Sequence, residues 1–582
     1  MCGIWGSLTY ITKVGYSKSE NENENENGSG NAYNEQPKQD GLDNLQKYAH
    51  SIKHRGPDET NVYNLSINNI FINLIFHRLA IVDIQNGHQP FVYQFDKRKI
   101  LLVANGEIYN YKNLIEKFSL DTNSDCEVIL KLYLKIGIEE TVFLLDGEFA
   151  FVLIDITEVE NDRQIINAYF VRDRFGIRPL FIGKDLLTKK IYFSSELKGI
   201  PLNIHAEHVK PRKICILTIN DNRFEYKEDE YYTLITNRPF IESGPEFNEG
   251  DSEFIYSMIR DSLIESVRNR MYSERPLGCL LSGGLDSSLI AGIASKILGE
   301  RNEKLNTFSI GMSTNSPDVV YARKVADFIG SNHTEVIIPE NEWLDTLPKI
   351  IYQIETYDTT TIRASTGQYL LAKWISENTE IKVLLNGDGS DELTSGYLYF
   401  YNAPNANQSH IENIRLLNNI HYYDVLRVDR GISAHGLEAR VPFLCHHFVE
   451  TYLSIDPKLR NPIKNSRIEK YLLRKSFESL NIIPNEVLWR KKEAFSDGVS
   501  LKEKSWYQII EDSIIENESS DSLTTNFLGK VVPQTKESRY FRRIFDFHYP
   551  KRYNILETNE YWLPKWSGEV INPSARVLSV YE

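Results

Sequence analysis

The sequence predicts an α+β amino-terminal domain of stacked antiparallel sheets flanked by helices. An α/β parallel-sheet domain with a mainly helical carboxyl-terminal part is expected to follow it. Three observations carry this. Short β-branched and aromatic runs crowd residues 70–212, strands alternate with helices after residue 253, and a glycine turn, "LLSGGLDSS", joins a strand to a helix at residues 280–288. At 582 residues the chain also exceeds the ~100–200 residues of one domain.

The elements follow in order. "CGIWGSL" reads as a first strand, and the polar repeat around "SENENENENGSGN" within residues 17–42 is expected to be a disordered insertion, having too little apolar surface to offset chain entropy. Helical stretches near 43–53 and 125–136 interrupt the strands "IFINLIF", "KILLVA", "FAFVLIDI", "AYFVRD", "PLFIG" and "IYFSS". The first domain is therefore placed at 2–212. Residues 213–252, acidic and poorly periodic, are expected to link the halves. In the second domain, 253–560, helix 253–270 leads to strand "LGCLL", helix 286–298, strand "LNTFSIG", helix 317–329, strand "HTEVII", a long helical stretch and strand "IKVLLNG". Residues 410–550 read as helical, and 561–582 as a tail. Such alternation implies a parallel sheet with ligands at the strand carboxyl ends.

Composition narrows the partners. The net charge of −14 opposes a phosphate backbone, and no basic stripe compensates, so small-molecule substrates are expected and nucleic acid is not. The five cysteines are scattered without a CxxC pair, which suggests a reducing compartment, with neither a disulfide framework nor a structural zinc site. No apolar run reaches the ~18 residues of a membrane span, and no secretory signal is visible. A cytoplasmic protein is expected; a homodimer is left open.

The chain opens "MCGIWG". With Met1 removed, Cys2 carries a thiol and an α-amine of ordinary pKa ~7.7–8.0, so the amine can take the thiol proton without a separate base. "HRGPD" (54–58), "FHRLAIVD" (76–83), "NGEIYN" (105–110) and "SDCEVI" (124–129) follow. This ordered set resembles the glutamine amidotransferases with an amino-terminal nucleophile. The resemblance implies Cys2 as nucleophile and a glutamine site of Arg78, Leu79, Ala80, Ile81, Val82, Asn105, Gly106, Glu107 and Asp125. Arg78 suits the substrate α-carboxylate, Glu107 and Asp125 its α-ammonium, and Asn105 with the Gly106 N–H the oxyanion. His54 and His77 are read as structural.

In the turn, glycines let backbone N–H groups approach an anion at a helix start, and Ser282, Ser287 and Ser288 add hydroxyls. The motif resembles the PP-loop of ATP pyrophosphatases. With "TYDTTTIRAS" (356–365), "NGDGSDE" (386–392), "AHGLEARVPFL" (434–444), "WRKKEAFSDG" (489–498) and the ending "PSARVLSVYE", the chain resembles glutamine-hydrolysing asparagine synthetases along nearly its whole length. That implies ATP contacts from Leu280, Ser282, Gly283, Gly284, Asp286, Ser287, Ile310, Asn386, Gly387 and Lys492. Mg²⁺ ligands would be Asp286 and Asp391, and Arg363 would lie near aspartate. Cys279 and Cys445 are read as core residues.

One stretch departs from the family's usual SGEGSDE: here Asn386 and Asp388 replace its serine and glutamate. The family uses that glutamate around the aspartyl-adenylate, so Asp388 is expected in the catalytic set. Its shorter reach keeps two alternatives open, a glutaminase with an altered synthetase site or a related adenylating amidotransferase.

Overall fold

A computed structural model describes residues 1–10, 46–159, 163–185, 187–220, 223–234, 249–463, 466–493, 495–500, 504–517, 527–558, 560–568 and 572. The expected insertion at 17–42 and the ending "PSARVLSVYE" lie outside them.

Two six-stranded antiparallel sheets face each other in the amino-terminal half. The first runs in the order 205–208, 181–185, 190–194, Gly3–Tyr10, Ile70–Arg78 and 59–67; the second 223–230, 213–220, 163–172, 147–159, Arg98–Ile108 and 91–95. Their facing sides bury Ile4, Leu8, Phe76, Val103, Val152, Phe170 and Phe193 in one core. Alternate residues of each strand face this core, and strands 98–108 and 147–159 are buried on both faces. The outer face of the second sheet is covered by helices Tyr111–Phe118 and Glu127–Leu144. The expected helix near 43–53 is helical at 46–50 and ends in a 3₁₀ turn at Lys53–Arg55.

The expected linking region needs correction. Residues 213–220 and 223–230 form a hairpin of the second sheet, paired in register from Lys213↔Glu230 to Asn220↔Arg223. Its outer strand, "RFEYKEDE", lies at the sheet edge and is half-exposed throughout. Edge strands carry charge where central ones carry apolar side chains, so the segment lacked the usual strand signature.

The second half is built on a parallel sheet ordered 332–337, 306–311, Leu277–Leu280, Val383–Leu385, Glu438–Arg440. The chain starts in the middle and builds outward on both sides. The turn after 277–280 and the loop after 383–385 therefore meet at the topological switch point, where open parallel sheets bind ligands. The long helical stretch is two helices, Glu340–Ile354 and Thr359–Asn378, and Asp358 caps the second by accepting from the Thr361 N–H. Residues 410–550 are mainly helical but include the three-residue strand Glu438–Arg440, which the sequence did not announce.

The halves share a continuous core: Trp5, Ile52 and Phe181 belong to the same cluster as Leu285, Leu385 and Phe443. Charged groups also cross the junction, buried and paired. Glu148 accepts from Arg178 at 3.1 Å, Arg270 at 2.8 Å and the Val441 N–H at 3.1 Å, while Arg55 joins Glu196 and Asp429 at 2.7 and 2.8 Å. Breaking one partner of such a buried set typically costs about 3–5 kcal/mol, so the domains are held in one relative position. No helix among the described residues is long and apolar enough to cross a membrane.

Candidate active sites

Pairing of Gly3 with His77 carries Cys2 against Leu79. The thiol sulfur lies 3.4 Å from the Leu79 N–H and 3.6 Å from its carbonyl. Cys2, Arg78, Leu79, Ile81, Val82, Gly106, Glu107 and Asp125 line one small cavity, with Glu438 closing it from the other domain. Arg78 is aimed by its own loop, donating to the carbonyls of Ile84 and Asp83 at 3.1 and 2.7 Å. Ala80 lies outside the lining, its N–H donating to Asp58 and its carbonyl accepting from Arg275.

Asn105 is fully buried, and neither its amide oxygen nor its amide nitrogen has a hydrogen-bond partner among the described residues. Buried polar groups are normally paired, so this amide is left with unmet hydrogen-bonding capacity beside the cavity, although Asn105 itself is not among the residues that line it. Gly106 has φ +133°, and a Cβ there would meet the Glu148 carbonyl at 1.9 Å. Only glycine fits where the strand turns its backbone to the cavity.

Burial pushes the Cys2 thiol up from its ordinary value, partly opposed by the amino-terminal charge. The sulfur is therefore a thiol needing a base. Burial also raises Glu107, with Glu438 and Asp125 adding repulsion. It raises Asp125 to about 6, against hydrogen bonds from the Ile108 and Cys126 amides. His77 is a satisfied structural group, bonded to Thr60 and the Ala49 carbonyl, and His54 contacts Glu196 and Gln353. Both fit the structural reading.

The second cavity, of about 220 Å³, lies at the switch point. Leu280, Phe308, Ile310 and Leu371 form an apolar wall, and Ser282, Gly284, Asp286, Ser287, Asn386, Gly387, Asp388, Asp391 and Lys492 line the rest. Ser282 and Ser287 share a 3.0 Å hydroxyl contact across the turn. Gly283, at φ +69°, sits where a Cβ would strike the Ala322 backbone at 2.4 Å. Gly284 caps helix Leu285–Gly299, and Leu285, Asp286 and Ser287 of its first turn line the cavity.

These two centres match known proteins domain by domain. The glutamine amidotransferase domain profile covers residues 29–236, and the asparagine synthase profile covers 258–415 and 405–567. The asparagine synthetase [glutamine-hydrolyzing] of Gallus gallus is 43% identical over 92% of this chain and 96% of its own. Those of Rattus norvegicus and Homo sapiens are each 41% identical over the same shares. The chain belongs to the glutamine-hydrolysing asparagine synthetases. A solved structure of the allosteric regulatory enzyme of purine biosynthesis covers 58% of this chain and 80% of its own, at 16% identity and TM-score 0.30, too loose a likeness to bear on fold or function.

In this synthetase the family departure has a definite setting. Asp388 receives Arg427 and, at 3.1 Å, the Gln368 amide, while its N–H is held by the Asn386 side chain at 3.1 Å. Burial raises its carboxyl, and Arg427 opposes the rise. Arg427 also pairs with Asp424. Arg363 lines the cavity, but its guanidinium is engaged by Glu537 of helix Lys536–His548, with Nε 2.8 Å from one oxygen.

Sequence reasoning missed Lys470. Its ammonium is buried and lies 2.7 Å from each Asp286 oxygen and 2.5 Å from Asp391, and Lys492 reaches Asp391 at 2.5 Å. Burial works against the Asp391 charge, but the two lysines hold its carboxyl well below the usual range. No local motif marks Lys470; it follows Asp286 by 184 residues. Arg427 and Gln368 were missed for the same reason; Arg490, which lines the cavity and donates to the Gly283 carbonyl at 3.1 Å, stands inside "WRKKEAFSDG" but was given no role.

The Asp125 value sets a pH test. A carboxylate pushed up to about 6 loses its charge as pH falls, and with it any hold on a substrate ammonium. Glutamine-dependent kcat/KM is expected to drop through about pH 6, chiefly through KM, since that ratio reports groups of the free enzyme. Ammonium-dependent synthesis, corrected for the free ammonia present, lacks this step. A flat glutamine profile between pH 5 and 7 would remove Asp125 from the binding site.

Proposed function

We infer that this chain makes L-asparagine from L-aspartate, using ammonia released from L-glutamine and cleaving ATP to AMP and pyrophosphate. What supports it most is that the residues of both centres line two cavities of one chain, with the strand Glu438–Arg440 between them.

In the first centre the Cys2 α-amine, once Met1 is gone, takes the thiol proton. The thiolate attacks the glutamine amide carbon, and Asn105 with the Gly106 N–H receives the oxyanion. Arg78 binds the α-carboxylate, with Leu79, Ile81 and Val82 shaping the wall and Ala80 fixing their segment from behind through Asp58 and Arg275; Glu107 and Asp125 hold the α-ammonium. Collapse returns the proton to the departing nitrogen as ammonia leaves, and water then cleaves the thioester to glutamate.

In the second centre the aspartate β-carboxylate attacks the α-phosphorus of ATP, giving β-aspartyl-AMP and pyrophosphate. Ammonia attacks the acyl carbon and AMP departs. The turn Ser282–Ser287 cradles the phosphates, Leu280, Ile310, Asn386 and Gly387 contact the nucleoside, and Lys492 meets the phosphate charge. Asp286 and Asp391 fit Mg²⁺: they are hard oxygen donors, and sharing Lys470 brings them within one ion's span. Bound there, Mg²⁺ would neutralise the pyrophosphate. Arg363, tied to Glu537, fixes the cavity's outer wall beside the aspartate region. We place the domains at 2–230 and 249–568, since the hairpin 213–230 pairs within the first domain's second sheet and Trp562 and Trp566 pack on Tyr399 and Phe400 of the second.

The test is one mixture of untagged protein, ATP, Mg²⁺, aspartate and glutamine. Asparagine, AMP, pyrophosphate and glutamate are expected in equal amounts, and ADP as the product would overturn the reading. Asp388→Glu adds one methylene toward the cavity. Since misplacement by ~1 Å can cost ~10²-fold, this variant is expected to form asparagine from glutamine at or above the wild-type rate. A clear fall would show a site rebuilt around aspartate through Arg427 and Gln368.

A further inference from the structure

The strand Glu438–Arg440 belongs to the ATP-binding sheet, yet its side chains enter the glutaminase centre. Glu438 is 2% exposed and lines the cavity with Cys2. One of its oxygens lies 3.8 Å from the amino-terminal ammonium, and the other accepts from Arg440 Nε at 2.8 Å. Arg440 in turn stands 3.5 Å from Glu107. On its far side the same strand holds the nucleotide loop, the Arg440 carbonyl accepting the Asn386 N–H at 2.9 Å.

Buried carboxylates are retained where cations answer them. Arg440 is shared with Glu107, so the chain terminus, with Arg178, supplies the remaining positive charge beside Glu438. Met1 is itself buried, its sulfur against Arg178. Its departure leaves space next to Glu438. The Cys2 carbonyl stays held by Arg55 Nε at 3.0 Å and the thiol by Leu79, leaving the Cys2 nitrogen as the atom able to turn toward that space.

We propose that Glu438, a residue of the ATP-binding domain, is a positioning residue of the glutaminase: its carboxylate receives the α-ammonium of Cys2. This rests on Cys2 being the nucleophile. As the S–H bond breaks and the new N–H bond forms, charge appears on the nitrogen, and Glu438 stabilises it without taking the proton. Later the ammonium gives that proton to the leaving ammonia. Arg178 and Arg55 face the terminus from the first domain and oppose its charge, as does burial; Glu438 opposes them. Burial disfavours a charged Glu438, but Arg440, the terminus and Arg178 keep its carboxyl below the usual range. Glu107 and Asp125 complete the surrounding charges. The glutaminase is thus complete only with the domains docked, which ties ammonia release to the presence of the site that uses it.

Glu438→Gln in the full-length processed protein tests this, the size being conserved. Removing the negative charge lowers the proton affinity of the amine, so the acid limb of glutaminase kcat, read at saturating glutamine where the Asp125 step in KM is absent, moves to lower pH. The kcat with glutamine falls about tenfold or more, KM changes little, and ammonium-dependent synthesis is retained. Glu438→Asp recovers part of the loss. An unmoved acid limb with unchanged kcat overturns the proposal, as does an equal loss with both nitrogen sources, which would mean only strand packing. A wild type that fails to hydrolyse glutamine overturns the nucleophile reading and this one together.

Discussion

Cys2→Ala is expected to lower glutamine-dependent asparagine formation by ~10⁴-fold or more, the scale on which losing a nucleophile acts. Ammonium-dependent formation is expected to stay within about twofold of wild type, since Cys2 is absent from the 220 Å³ cavity that activates aspartate. The selectivity follows from placement. Cys2 stands at the mouth of strand Gly3–Tyr10 with its sulfur on Leu79, and no other thiol replaces it. Cys126 is near, but its sulfur is bonded to the Gly106 carbonyl, and burial with the Asp125 and Glu107 charges pushes it far up. Assay of asparagine with each nitrogen source separately decides the matter. Residual glutamine use above background would transfer the nucleophile elsewhere, and loss of ammonium use would mean that the alanine disturbs the shared core.

What the sequence revealed and what it hid divide along physical lines. Cys2, Arg78, Glu107 and Asp125 were legible because each sits in a short string with a fixed local geometry, and strand pairing then brings the strings together. The glycine turn was legible because backbone N–H groups at a helix start need glycine nearby, and Gly283 indeed has no room for a Cβ. Lys470, Arg427 and Glu438 were not. Lys470 and Arg427 meet partners distant in sequence, as Lys470 meets Asp286, and an isolated lysine or arginine reads as a solvated surface residue; Glu438 stands inside "AHGLEARVPFL", but nothing in that string points to the start of the chain. The strand Glu438–Arg440 is three residues long and begins and ends in charge, so no apolar periodicity marks it. The hairpin 213–230 was taken for a linker because its outer strand lies at a sheet edge, where acidic residues replace apolar ones.

Lys470→Met is expected to abolish asparagine formation from either nitrogen source, by ~10³-fold or more, while glutaminase activity stays within severalfold. Methionine keeps the length of the stem but removes the ammonium that contacts both Asp286 oxygens and Asp391. Two effects then act on the same site. The charge that would face departing pyrophosphate is lost, and single preorganised donors of this kind are worth about 10²–10³ in rate. The two carboxylates also lose a common cation, leaving only Lys492 on Asp391 at 2.5 Å and, at 4.0 Å, on Asp286. A buried charge deprived of its partner costs about 3–5 kcal/mol, so the melting temperature should fall as well. Lys470→Arg separates these contributions: it restores the charge and hence much of the stability, but its planar fork cannot place one point charge between two carboxylates. Recovery of melting temperature without recovery of synthesis identifies Lys470 as acting on the reacting phosphates. Wild-type synthesis in Lys470→Met would reduce it to a structural ion pair.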